Sequence, residues 1–370
     1  MSNIKVYTNL YILITIIIYS SISYTSKAQR RNEYVNNSIP AMYVLGDSLV
    51  DVGNNNYLRL SLDKADFSHN GIDFPTGPTG RFSNGKNTAD FIAEKLGLPS
   101  PPAYLSLSDP NINKTILTGV SFASGGAGIL NGTYSTLRQA ISLSKQVDYY
   151  TNVYKILIQE LGSDATQQHL SKSLFIIVIR SNDLKRYFYD SGISKTITPQ
   201  AYVDSMISSI NEILKQLYGL SARKFILAGV PVVGCTPKER IQNEKLTCHE
   251  ELNFWVIKYN NGLKSSLEMF KSEFNDTNYS YFDTYSALAD FIQNPDKYGF
   301  TEAQSACCGL GKLRANVACL PISEYCPNRD DHVFWDLYHP TQKTVSMFID
   351  MFYNASQYVT STNISQLVSL

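Results

Sequence analysis

Two short stretches, almost three hundred residues apart, hold the residue types that acyl transfer requires. One is Gly46-Asp47-Ser48-Leu49, directly after the apolar run Met42–Leu45. The other is Asp336-Leu337-Tyr338-His339-Pro340. Acyl transfer through a covalent intermediate takes a nucleophile, a base, an acid that orients the base, and donors for the oxyanion. Ser48 is the candidate nucleophile and His339 the candidate base. Asp336, one helical turn or tight loop away, can hold the other imidazole nitrogen and so fix the tautomer. Gly126 offers a backbone N–H within the small-residue stretch Gly119–Leu130, where no side chain keeps a ligand at a distance. Asn182 offers a side-chain amide just after the apolar run Ser173–Ile179.

Each of these residues has a plainer explanation when taken alone. Ser48 could cap a helix, Gly126 could serve only a turn, Asn182 could cap a helix, and His339 could begin one. Their positions count against coincidence, because each falls at an expected strand end or at the start of the last helix. In open α/β sheets that is where ligands bind.

The elements that must position them follow from apolar patterning. Buried strands are expected at Met42–Leu45, Ser173–Ile179 and Lys224–Gly229, and an alternating strand at Tyr279–Tyr285. Helices are expected over Thr88–Leu96 (capped by Thr88), Ser135–Leu161, Ala201–Tyr218, Asn253–Phe270 and His339–Phe352. Strand and helix alternate throughout, which argues for a mainly parallel sheet with helices on both faces. No internal repeat or low-complexity linker divides the chain, so a single domain over residues 29–370 is expected.

Composition narrows the function classes. The 370 residues are 44% hydrophobic, enough for a sizeable core. Lys+Arg and Asp+Glu are 32 each, so no basic excess calls for a nucleic-acid partner. The spacing of the histidines implies no metal, and no phosphate or dinucleotide loop calls for a cofactor. The Gly-x-Ser-x-Gly elbow of the α/β-hydrolase fold is missing as well.

Residues 1–28 read as a secretory signal: Lys5, then the apolar run Leu10–Tyr19, then Ser26-Lys27-Ala28 before a mature start near Gln29. The apolar run is short for a bilayer span, so no stable membrane insertion is expected. Secreted chains carry sugar at Asn-x-Ser/Thr, which occurs at Asn37, Asn113, Asn131, Asn275, Asn278, Asn354 and Asn363. The six cysteines point to disulfides. Cys235 and Cys248 are close enough to close a local loop, and Cys307, Cys308, Cys319 and Cys326 staple a second. Zinc is the competing reading, disfavoured by the absence of Cys-x-x-Cys.

Taken in order, the motifs resemble those of the plant-type GDSL esterase/lipases of the SGNH hydrolase superfamily. They run from Gly46 to Asn56, then Thr79-Gly80-Arg81-Phe82-Ser83-Asn84-Gly85, Gly119–Gly128, Ser181-Asn182-Asp183, Cys307-Cys308-Gly309 and Phe334–Thr341, almost the whole mature chain. The resemblance implies a three-layer, flavodoxin-like α/β/α sandwich and metal-free serine hydrolysis of small-molecule or lipid esters. It implies a triad of Ser48, Asp336 and His339, and an oxyanion hole of Ser48, Gly126 and Asn182, with Gly126 preferred over Gly125. Asp47 and Asp183 are then structural.

One position departs from the family pattern: Arg180 stands where the motif has glycine, beside Asn182. Losing an oxyanion donor costs roughly a hundredfold to a thousandfold in rate. Two alternatives to an esterase therefore stay open. One is an acyltransferase using the same triad; the other is a catalytically impaired glycoprotein that binds an acylated lipid or sugar.

Overall fold

The computed structural model describes residues 39–107, 112–132, 139–179 and 181–370. Arg180, residues 1–28 and Asn37 lie outside the described residues, as does the side chain of Asn113. In chain order the strands are Met42–Gly46 (β1), Gly119–Ser121 (β2), Leu174–Val178 (β3), Lys224–Ala228 (β4), Asn278–Phe282 (β5), Glu302–Ala306 (β6), Cys308–Gly309 (β7), Glu324–Tyr325 (β8), His332–Phe334 (β9) and Val359–Ser361 (β10).

Among the described residues six strands form the main sheet, in the order β10-β5-β4-β3-β1-β2. Strands β1 to β5 are parallel, and β10 runs antiparallel along the edge of β5. In register, Tyr43 lies opposite Phe175 and Val120, and Phe175 opposite Phe225. β1 and β3 are buried along their whole length, so they read as continuous apolar runs rather than alternating ones.

Alternate residues of each strand serve opposite faces. Tyr43, Phe175, Phe225 and Tyr281 join one core with the helices Leu143–Leu161, Pro199–Gly219 and Glu250–Glu273. Rings of Tyr43 and Phe175 stack there with centroids 5.3 Å apart. On the other face Val178, Ile226 and Phe282 meet the helices Thr88–Leu96, Thr284–Gln293 and Gln342–Asn354. Phe282 stacks on Phe352 at 4.9 Å. The result is an α/β/α sandwich of three layers. In chain order we label the helices α1 (Thr88–Leu96), α2 (Leu143–Leu161), α3 (Ser163–Lys172), α4 (Asn182–Tyr189), α5 (Pro199–Gly219), α6 (Glu250–Glu273), α7 (Thr284–Gln293) and α8 (Gln342–Asn354).

Several boundaries differ from the sequence reading. Asn87, not Thr88, caps α1: its side chain accepts from the N–H of Ala89 and of Asp90, and Asp90 answers to the Asn87 N–H. α2 begins at Leu143 with Ser142 as its cap, later than Ser135. α3 was not foreseen because only Thr166 and Leu170 are buried on it, too few to make an apolar stripe. The strand expected over Tyr279–Tyr285 stops at Phe282, because Asp283 caps α7 and the chain turns helical at Thr284. The last helix starts at Gln342, capped by Thr341, so His339 sits in the loop before it.

The six cysteines are paired as Cys235–Cys248, Cys307–Cys326 and Cys308–Cys319. The last two pack with Trp335 into a small core of their own.

Candidate active site

Ser48 owes its position to a break forced on the chain after β1. Gly46 has φ 151°, and a Cβ there would lie 2.0 Å from the Val178 carbonyl oxygen. Only glycine passes so close to β3 in that conformation. The buried Gln146 amide grips Gly46 from α2, accepting its N–H and donating to its carbonyl, both at 2.8 Å. The turn then closes on Asp47, whose carboxylate accepts the Leu49 N–H at 3.0 Å and whose carbonyl accepts the N–H of Asp51 at 3.0 Å.

The loop before α8 brings the imidazole to this serine. His339 Nε2 lies 2.7 Å from Ser48 Oγ. His339 Nδ1 lies 2.8 Å from both carboxylate oxygens of Asp336. An ionised carboxylate only accepts, so Nδ1 carries the proton and Nε2 is left to accept from the Ser48 hydroxyl. Asp336 also accepts the N–H of Tyr338 at 2.9 Å and of His339 at 2.8 Å, which folds the loop into a tight turn. Burial alone would raise the Asp336 carboxyl. The adjacent His339 and the two N–H groups outweigh it and hold the carboxyl below its usual value. The ring of Phe82 packs on His339, with centroids 5.2 Å apart.

Two further segments end at the same place. Gly126 has φ 84° in a turn closed by the Ala127 N–H to the Ser124 carbonyl at 3.0 Å. Beside it, a Cβ on Gly125 would strike the Phe82 ring at 2.4 Å, so that glycine is needed for space. Among the described residues the N–H groups of Ser48 and Gly126 donate to no acceptor. Asn182 opens α4, and its Nδ2 donates to the Ala127 carbonyl at 2.8 Å and, over a longer 3.5 Å, to the Asp47 carboxylate. Asp183 accepts the N–H of Ile129 at 2.8 Å and of Leu130 at 3.0 Å, tying the glycine loop to α4. The structure thus brings Ser48, Asp336, His339, Gly126 and Asn182 to the carboxyl ends of β1, β2 and β3.

A set of buried polar residues positions this cluster, and the sequence reading missed its role. The Asp51 carboxylate accepts the N–H of Gly53 at 2.8 Å, of Asn54 at 2.7 Å and of Gly125 at 2.8 Å. Burial pushes the Asp51 carboxyl up to about 6, although the N–H groups of Gly53, Gly125, Asn54 and Asn55 pull it down. Asn54 donates to the carbonyls of Ser121 and Ala123, and Asn55 to that of Gly125, each at 2.8 Å. The Asp51–Asn55 run therefore latches the serine turn to the glycine loop. Its trace in the sequence is Asp51, Gly53, Asn54 and Asn55, four residues of high turn propensity shortly after a buried strand.

Thr79–Gly85 makes the second bridge. Asn84 accepts the Gln342 N–H at 2.8 Å, and Gln342 accepts the Lys86 N–H at 3.0 Å. Arg81 forks onto Asp90 at 2.6 and 2.7 Å, both side chains being almost fully buried.

Comparison with known proteins agrees with this architecture. The family model described as GDSL-like Lipase/Acylhydrolase matches residues 42–352. Three proteins of Arabidopsis thaliana are similar along nearly their whole length. GDSL esterase/lipase At5g55050 is 47% identical over 341 residues, covering 90% of each chain. GDSL esterase/lipase At3g50400 is 40% identical over 348 residues, covering 90% of this chain and 92% of its own. GDSL esterase/lipase At1g29660 is 39% identical over 341 residues, with the same coverage. The chain belongs to the GDSL-like lipase/acylhydrolase family and is, with that family, a carboxylic ester hydrolase.

Proposed function

We propose that the protein is a secreted serine esterase that works through an acyl-enzyme on Ser48. The observation that carries this reading is the unbroken chain of contacts from Ser48 Oγ to His339 Nε2 at 2.7 Å and from His339 Nδ1 to Asp336 at 2.8 Å. Ser48 Oγ attacks the ester carbonyl and gives its proton to His339 Nε2. Asp336 stabilises the imidazolium that forms. The oxyanion accepts from the N–H of Ser48, the N–H of Gly126 and the Asn182 Nδ2 N–H, which exchanges its long 3.5 Å contact with Asp47 for the oxyanion. His339 then protonates the departing alkoxide. Water, activated by the same imidazole, releases the acid and restores Ser48.

Secretion is part of the proposal. Residues 1–28 are the leader and residues 29–370 one mature domain. Three disulfides support an oxidising destination. Among the described residues no helix is long and apolar enough to cross a membrane.

The test is turnover of p-nitrophenyl acetate by the mature protein and its Ser48→Ala variant. The variant should lose at least about a thousandfold in kcat. Equal rates for the two proteins contradict the proposal.

A further inference from the structure

α4 carries more than the oxyanion donor. Asn182, Lys185 and Tyr189 follow one another at spacings of three and four residues, so they share one face of the helix. Asn182 reaches the glycine loop through the Ala127 carbonyl. Lys185 sets its ammonium over the ring of Tyr338, 3.7 Å from the centroid. Tyr338 stands between Asp336 and His339, and its N–H donates to the Asp336 carboxylate at 2.9 Å. Tyr189 gives its hydroxyl to the carboxylate of Glu239. Glu239 is fully buried, and the other oxygen of that carboxylate has no partner among the described residues. Glu239 belongs to the helical turn Pro237–Arg240, which holds the same loop by a second contact: the Lys238 N–H donates to the Leu337 carbonyl at 3.1 Å.

We propose that this face of α4 clamps the acid–base loop to the helix of the oxyanion donor, with Lys185 as the main positioning residue. The proposal rests on the serine-esterase reading above. His339 must stay within reach of Ser48 Oγ while Asn182 stays at the oxyanion, and the two come from segments far apart in the chain. Lys185 ties one to the other directly, and Tyr189 does so through Glu239. An ammonium over a tyrosine face is attracted by the ring quadrupole, more strongly when water is partly excluded. Lys185 and Tyr338 are both half-buried. Arginine can make the same contact, whereas a neutral side chain of similar length cannot. Burying a carboxylate is costly unless it is hydrogen-bonded, and Tyr189 supplies Glu239 with such a bond. Lys185 touches no reacting atom. It acts through Tyr338, whose backbone is part of the turn that aims Asp336 at the imidazole.

The experiment measures kcat and KM of the mature chain for p-nitrophenyl acetate in the wild type, Lys185→Met, Lys185→Arg, Tyr338→Leu and the double variant Lys185→Met/Tyr338→Leu. Thermal melts by circular dichroism fix an assay temperature at which each is folded. Displacing a catalytic group by about 1 Å costs roughly a hundredfold, so a loosened loop should lower kcat of Lys185→Met by about tenfold, with KM within about twofold. Lys185→Arg should keep kcat within about threefold of the wild type. The double variant should be no slower than Tyr338→Leu, because the two changes remove one contact. A role in stability alone would lower the melting temperature and leave kcat unmoved below it. If Lys185→Met does not fold, Lys185→Gln takes its place. A neutral variant with kcat within about twofold of the wild type, or Lys185→Arg as slow as the neutral variant, would overturn the proposal and leave the Ser48 reading standing. Acetate turnover that survives Ser48→Ala would instead remove that reading, and the proposal with it.

Discussion

Asp51 touches no reacting atom in the scheme above, yet its carboxylate is where the serine turn and the glycine loop meet. One oxygen accepts from Gly53 and Asn54, the other from Gly125. Asp51→Asn would turn an N–H toward the Gly125 N–H and push the Gly126 turn out of place. Misplacing a catalytic group by about 1 Å costs roughly a hundredfold, so we expect kcat to fall tenfold to a hundredfold. The same carboxyl gives stability a pH signature. Its folded value of about 6 lies above the free value of 3.8. The contribution of its neutral form is complete below the free value, is lost as pH rises through the folded value, and is constant above it. Urea midpoints of the wild type, measured against Asp51→Asn, should therefore decline from about pH 4 to about pH 6.5 and then level off. A relative midpoint that climbs over that range contradicts the assignment. Asp336 has the opposite sign: its lowered carboxyl stays ionised until pH falls below 3.8.

Among elements, the Thr79–Gly85 bridge is anchored by a buried ion pair. Arg81 donates to Asp90 through a fork, to Thr79 Oγ1 at 2.8 Å and to Ser100 Oγ at 3.1 Å. Removing one member of a buried ion pair costs about 3–5 kcal/mol, because the other charge is left uncompensated. Arg81→Ala should lower the unfolding free energy by about that amount in urea titration. A loss below about 1 kcal/mol would place the pair among exposed, weakly contributing ones.

Much at this scale was legible from the chain alone. β1, β3 and β4 were visible as apolar runs, and α5 and α6 as long stripes, because burial on one or both faces leaves a periodic trace. α3 left none, since it buries so little. The last helix was read too early because apolar spacing continues back across Pro340, whereas the cap at Thr341 decides the start. Ser48, Asp336 and His339 could be picked out by residue type and place. The latch formed by Asp51, Asn54 and Asn55 could not, since its partners lie some seventy residues on and polar pairing carries no period.

For the molecule as a whole, the disulfides bear on the site as well as on stability. The N–H groups of Cys307 and Cys308 donate to the carbonyls of Phe334 at 2.9 Å and Trp335 at 2.7 Å, just before Asp336. Cys307–Cys326 and Cys308–Cys319 therefore hold the strand that delivers the acid and base. Each native disulfide contributes about 2–5 kcal/mol, chiefly by restricting the unfolded chain. Reduction under native conditions should lower the melting temperature and kcat together. A reduced protein that melts early but keeps full activity below its melting point would show the staple to be irrelevant to the site.

The central claim is that Ser48 is a nucleophile made reactive by His339. Labelling with a fluorophosphonate, followed by peptide mapping, tests it most directly. The account predicts one modified peptide, containing Ser48, in the wild type and no label in His339→Ala. Label on another residue, or equal labelling of Ser48 with and without His339, would contradict it.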